Sequence, residues 1–286
     1  VLLPACKAKS SLSPQEQLAA GWQDYRDSDF EKALTVFQNL QATQPLGSDL
    51  WLQALYGEAS CWSQRRSDRD TGKAVTLYKT LLKEAPRSFL APWAALDIVR
   101  TGHLAPADQK LDYPQLARDY ANVYETYPDT KAGEDAFLFK SYLQTYMANP
   151  GQAAKTLAEM EAFLRTHPNT PYLSTVYKLM AECYRRTGDE KRRIDLMVKS
   201  VKNREVDPET PFFELSTSYW DIAYAAEFEA GEFDVAREYY RQLIKEFPND
   251  DRIFACYQAL DRMDAIEADL RAGRSLPAKW LAKPAQ

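Results

Sequence analysis

VAREYYRQLIKEFP, residues 235–248, decides how this chain is read, because its pattern returns four more times. Tyr240 stands eight residues before the closing Pro248, Leu243 five before it and Ala236 twelve before it. Two large side chains three apart share one face of a helix, and Ala236 is a small residue at which a neighbouring helix can come close. The same ending closes KALTVFQNLQATQP (32–45), KAVTLYKTLLKEAP (73–86), QLARDYANVYETYP (115–128) and KTLAEMEAFLRTHP (155–168). Phe37, Tyr78, Tyr120 and Met160 fill the first large position, and Leu40, Leu81, Val123 and Phe163 the second; Ala33 and Ala74 repeat the small one. Successive prolines are 41, 42 and 40 residues apart, and the step of 80 to Pro248 implies a hidden unit. RRTGDEKRRIDLMVKSVKNREVDP (185–208) fills it in looser register: aligning Gly188 with Gly231 puts Met197 at the large position, whereas Pro208 puts Ser200 there. A short insertion before Pro208 reconciles the two.

Between the prolines lie further amphipathic stretches, LWLQALYGEASCW (50–62), AFLFKSYLQTYM (136–147), LSTVYKLMAECYRR (173–186) and SYWDIAYAAEFEA (218–230). Each unit therefore reads as a helical hairpin, with Gly151, Gly188 and Gly231 in the short turns. No alternating apolar run is long enough to insist on a strand. A single hairpin cannot bury its apolar face alone, so consecutive hairpins stack. The expected fold is all-α, a right-handed superhelix (α-solenoid) of about six hairpins, with PNDDRIFACYQALDRMDAIEADLRAG (248–273) as the capping helix. The expected organisation is an amino-terminal segment 1–13, a repeat domain 14–273 and an extended tail 274–286 that carries two prolines and Trp280.

With 286 residues, 45% of them hydrophobic, the chain can bury a substantial core. Its net charge of -5 argues against nucleic acid as the main partner. No apolar run reaches the roughly 18 residues of a membrane span. Cys6, Cys61, Cys183 and Cys256 are too widely spaced for zinc-ribbon or CxxC redox motifs. The last three fall inside helical patterns, where a thiol serves as a small buried hydrophobe; whether they pair is open. The two histidines, His103 and His167, form no HExxH motif, and His167 takes the structural position before a helix-ending proline. No catalytic constellation, cofactor-binding motif or metal-spaced cluster is present, so the chain is not read as an enzyme and no cofactor is expected.

The small-large-large-proline pattern, with AGEFDVAREYYRQLIKEFPND and RRTGDEKRR, resembles the tetratricopeptide repeat over residues 14 to 272. Gly21, Phe30, Ala33, Phe37 and Pro45 match its spacing in the first unit; in the last, Phe233, Ala236, Tyr240 and Pro248 match while Tyr224 replaces the first-helix glycine. The period of 40 to 42 departs from the family's 34, and SQRRSDRDT and TGHLAPADQKLD are inserted loops. This longer period resembles the periplasmic repeat lipoproteins of the BamD and Tol-Pal-associated type. In that light LPAC (3–6) is similar to a lipobox, which implies removal of Val1 to Ala5 and acylation of Cys6. Lys7 after the cysteine then implies the periplasmic side of the outer membrane. A remnant without function is the alternative reading of these residues.

The resemblance also implies partner-binding positions. Counting the family's groove-facing positions from Gly21 gives Gln15, Leu18, Trp22 and Tyr25, and from Gly57 gives Trp51, Ala54, Glu58 and Cys61. Trp22, Tyr25, Trp51 and Glu58 are the groove candidates, although the same aromatic residues would serve equally as core. The matching set in the last hairpin, counted from Tyr224, is Ser218, Asp221, Ala225 and Phe228, which is less aromatic. A second candidate is the basic run with Arg185, Arg186, Lys191, Arg192 and Arg193. The acidic EFEAGEFD of the next hairpin either pairs with that run or leaves it free to dock a partner. The resulting expectation is a lipid-anchored periplasmic scaffold for protein or peptide partners of an envelope complex, involved in outer-membrane protein assembly. The alternatives are an adaptor for a secretion, pilus, motility or cell-wall machine, and a ligand-binding protein or enzyme with a helical cavity.

Overall fold

The computed structural model describes residues 12–64, 70–103, 110–147, 150–204 and 213–275, and every element among them is a helix. The chain divides into two compact units, Val1–Lys140 and Ser141–Gln286. The first holds α1 (Pro14–Arg26), α2 (Phe30–Thr43), α3 (Asp49–Ser63), α4 (Thr71–Glu84), α5 (Ala91–His103), α6 (Tyr113–Thr126) and the start of α7 (Lys131–Tyr146), in which the boundary falls. The second holds a 3-10 turn at Pro150–Gln152, then α8 (Ala153–Thr166), α9 (Leu173–Thr187), α10 (Glu190–Lys202), α11 (Phe213–Ala225), α12 (Phe233–Glu246) and α13 (Ile253–Arg271). A π-helical turn, Ala226–Ala230, extends α11. This is the order of six helical pairs and a closing helix, an all-α arrangement of α-solenoid hairpins. The amino-terminal residues through Ser11, Cys6 among them, and the tail from Leu276, with Trp280, lie outside the described residues.

The prolines end helices for a steric reason. The ring of a proline disfavours helical geometry in the residue before it, and Ala85, Tyr127, His167 and Phe247 accordingly take φ of -143°, -131°, -124° and -129°. Each still donates its N–H to the carbonyl four residues back, on Leu81, Val123, Phe163 and Leu243. The last turn is thus closed onto the second large residue of the pattern. His167 stacks on Phe163 at 4.6 Å between ring centroids, within the helix ending where its position placed it.

Helix starts are fixed by side chains. Ser13 and Glu16 form a reciprocal capping box on α1. Asp29, Asp70, Asp112 and Asp189 each accept the backbone N–H three residues on, at the starts of α2, α4, α6 and α10. Gly188 and Gly231 take left-handed φ of 79° and 68°, two residues before α10 and α12 begin, and Ser28 takes the same conformation two residues before α2. Glycine, not proline, therefore sets the register of the hidden unit. Its helix stops at Lys202 rather than just before Pro208, which lies outside the described residues.

The pattern positions are the core. Phe37, Tyr120 and Met160 are 0% exposed, and Tyr78 and Tyr240 1%. Ala33, Ala74 and Ala236 are buried completely. Phe37 is the most constrained, because two helices close on its ring. A Cβ added at Gly21 would lie 3.0 Å from the Phe37 ring, and one at Gly57 only 2.6 Å. Gly57 belongs to α3, so Phe37 joins one hairpin to the next. Cys61, Cys183 and Cys256 are buried, in the core role their helical surroundings suggested.

Gly57→Ala is therefore expected to cost about 1–3 kcal/mol by overpacking. Gly72→Ala serves as the control. Its added Cβ meets only an Asp70 oxygen at 3.4 Å, and alanine in a helix is neutral or favourable. Urea unfolding of both variants checks this; equal stabilities would contradict the close approach at Gly57.

Candidate binding surfaces

In the first unit, the first helices of successive hairpins turn one face to a cavity of about 570 Å³. Trp22 and Tyr25 come from α1, Tyr56 from α3, Asp97 and Arg100 from α5, and Phe139 from α7. The Trp22 ring lies 5.4 Å from Tyr25 and 6.3 Å from Tyr56 between centroids. Tyr56 donates its hydroxyl hydrogen to Asp97. Arg100 donates to Asp97 at 3.3 Å and to Asp135 at 2.7 Å, and its guanidinium stands 5.1 Å over the Phe139 ring. Burial pushes the Asp97 carboxyl above its ordinary range, against the pull of the Tyr56 hydrogen bond and of Arg100. His103, at the end of α5, shares a 2.7 Å hydrogen bond with Tyr120, and burial lowers its pKa.

Of the four groove candidates, only Trp22 and Tyr25 reach this cavity. Trp51 is 9% exposed and packs with Leu52, Leu55, Tyr78 and Leu81. Glu58 is 6% exposed and accepts from Gln38 at 2.9 Å, Gln41 at 2.8 Å and the Trp62 indole at 3.3 Å. The physical reason is Gly57. It packs on Phe37 of the preceding hairpin, so positions counted from it fall on the core side of α3, and the neighbouring Tyr56 meets the cavity instead. Sequence reasoning also missed Asp97 and Arg100. Their signal was an acid and a base three apart in APWAALDIVRTGH, an otherwise largely apolar helix.

In the second unit a cavity of about 740 Å³ is lined by Trp220, Tyr224 and Phe228, four residues apart along α11 and its π-helical turn. Arg193 of α10 and Arg252, Gln258 and Arg262 of the α12–α13 region complete the wall. An adjoining cavity of about 410 Å³ shares Arg193, Met197 and Asp221 and adds Ser218. Ser218, Asp221, Ala225 and Phe228 thus line the cavities as counted; Trp220 and Tyr224 join them, although this wall still carries fewer aromatic side chains than the first. Glu227, 6% exposed, holds the π-helical turn in place by accepting from Arg262 Nε at 2.6 Å and the Tyr240 hydroxyl at 3.0 Å. Burial raises the Glu227 pKa while Arg262 opposes the rise.

The basic run is ion-paired throughout. Arg185 and Arg186 donate to Glu182 at 2.7 Å and 3.2 Å, and Arg192 lies 3.4 Å from Asp189. Across to the acidic stretch, Lys191 pairs with Glu232 at 2.9 Å, and Arg193 bonds Glu229 as well as Glu190. Lys191 and Arg193 thus join adjacent hairpins, with Arg193 at the position where Ala236 stands in the last one. Among the described residues no group of His, Cys, Asp and Glu is arranged to hold a metal ion, and no helix is long and apolar enough to cross a membrane.

The hairpin of α11 and α12 matches the tetratricopeptide repeat family, over residues 217–250. Similar solved structures include a tetratricopeptide repeat protein from Parabacteroides merdae, 16% identical over 88% of this chain and 86% of that one, with a TM-score of 0.45. Another is the assembly chaperone of RpL4 (Acl4), 13% identical over 91% of this chain and 100% of that one, with a TM-score of 0.49. No curated protein matches the chain.

Arg252 ties the second cavity to the turn before α13. It donates to Asp250 Oδ1 at 2.8 Å and Oδ2 at 2.7 Å, and to Ser216 at 3.0 Å. These bonds hold the Asp250 carboxyl well below its ordinary value of 3.8. A depressed carboxyl pKa contributes stability that is fully present above the unfolded value and is lost as pH falls through the folded one. Asp250→Asn is thus expected to be less stable than wild type at pH 7, with the gap closing as pH drops below about 3.8. Denaturant titrations across that range test this, and a gap independent of pH would contradict it.

Proposed function

We propose that this protein is a protein-interaction scaffold whose first-helix faces receive segments of partner proteins. The observation that carries the reading is the line Trp220, Tyr224, Phe228 on the wall of the second-unit cavity. Aromatic side chains supply large, rigid contact area with a polar handle, which is why they dominate binding hot spots. The match to the tetratricopeptide repeat spans all three residues and supports protein binding over small-molecule chemistry. The paired basic run is assigned to the framework instead. Lys191 and Arg193 hold adjacent hairpins together, which leaves Arg185 and Arg192, exposed and paired only within their own hairpin, as the part of it open to a partner.

The finer reading rests on the LPAC sequence alone. It makes Cys6 a diacylglycerol-bearing residue that tethers the scaffold to the periplasmic face of the outer membrane, in the service of outer-membrane protein assembly or of another envelope machine. Mass spectrometry of the natively produced protein tests the tether: an acylated chain beginning at Cys6 is expected, and a mature chain that retains Val1 to Ala5 would exclude it.

For the binding surface, a photo-crosslinking amino acid at Gln258, exposed on the cavity wall, is expected to trap discrete protein partners in cells. The same group at the exposed Arg241 of α12 should not. Tyr224→Ala should lower the Gln258 yield by about tenfold or more, as truncation of an anchor does. Equal trapping from both sites, or no effect of Tyr224→Ala, would contradict the assignment.

A further inference from the structure

We propose that the first-unit cavity is an arginine-reading pocket, which accepts the guanidinium of a partner protein's segment between the Trp22, Tyr25 and Tyr56 rings and the Asp97 carboxylate. This deepens the scaffold reading above and rests on it. The wall carries two charged side chains, Asp97 and Arg100, and Arg100 is already shared between Asp97 and Asp135. Two carboxylates therefore face one guanidinium, and the cluster is a net anion held against aromatic rings. His103 adds no cation, since burial favours its neutral form.

The same cavity already shows the recognition it would perform. Arg100 combines a ring under its guanidinium plane, Phe139 at 5.1 Å, with carboxylates at its edge, Asp97 and Asp135. Other rings of the same cavity repeat the ring half of that arrangement. Trp22, Tyr25 and Tyr56 present faces over which, among the described residues, no cation lies. Trp22 is half-buried, so its ring is fixed by Phe37 at 5.1 Å yet still reachable. A cation over an aromatic face is worth most where water is excluded, and arginine suits such a site because its planar fork stacks and bonds a carboxylate together. A second cation would also offset the cost of keeping Asp97 ionised in a buried place. The protein's net charge of -5 favours approach by a basic segment.

The test is selection of random twelve-residue peptides on the full chain by phage display. Selected arginine peptides are then resynthesised with citrulline, the uncharged isostere of arginine, and compared by fluorescence anisotropy. The proposal expects selected peptides to contain arginine and the citrulline form to bind about tenfold or more weakly. Asp97→Asn, checked for folding by thermal melting, should bring the two forms to nearly equal affinity. Asp135→Asn, which changes a charge off the cavity wall, should reduce the discrimination without abolishing it. Peptides that bind equally well with citrulline, or discrimination unchanged in both variants, would overturn the arginine pocket and leave the scaffold intact. Failure to select any peptide would overturn both.

Discussion

One contact organises the rest: the large side chain eight residues before the first repeat proline is closed over by glycines of the two helices around it. In the first hairpins this is Phe37 under Gly21 and Gly57, with a ring to which neither glycine could add a carbon without a shift. Full burial of such a side chain stabilises by about 2–3 kcal/mol, and interiors packed at crystal density admit few alternative fits. The constraint acts on orientation as much as on energy. With Gly57 pressed on Phe37, α3 has one rotation available, and that rotation sends Tyr56 to the cavity and Trp51 to the core.

From that rotation the chemistry of the cavities follows. The first helices have one face committed to the knobs of the second helices, and the other carries whatever the sequence places one residue aside. In the first unit these are aromatic rings with Asp97 and Arg100; in the second, an aromatic line beside three arginines that are each held by carboxylates. The ion pairs in the second unit fix the walls: Glu227 with Arg262 locks the π-helical turn, and Asp250 with Arg252 locks the start of the closing helix.

The repeat architecture was legible because its signals are local. Proline restricts the residue before it, two large residues three apart share a face, and Gly188 and Gly231 mark left-handed turns, so helix pairs and core positions follow from spacing. The cavity face was legible only in part. Trp22 and Tyr25, counted from Gly21, line the first-unit cavity, whereas Trp51 and Glu58, counted from Gly57, are buried because that glycine packs on Phe37 of the preceding hairpin. In the last hairpin Trp220 and Tyr224, spaced four apart and four from Phe228, stand on the same wall as the counted positions and fall outside the family's count. The charge of the basic run was visible, and its pairing with the acidic EFEAGEFD was one of two readings open in the sequence; the individual partners were not legible, since Arg193 meets Glu229 across 36 residues of chain.

The most direct test of this account is a double-mutant cycle between Phe37→Leu and Gly57→Ala, read by equilibrium unfolding. If the ring of Phe37 sets the approach of α3, the smaller leucine makes room for the added methyl group. The cost of Gly57→Ala should then fall by about 1 kcal/mol or more in the Phe37→Leu background, a coupling typical of residues in contact. Costs that add to within about 0.5 kcal/mol, the behaviour of independent sites, would show that the two residues do not meet and that the orientation of α3 has another cause.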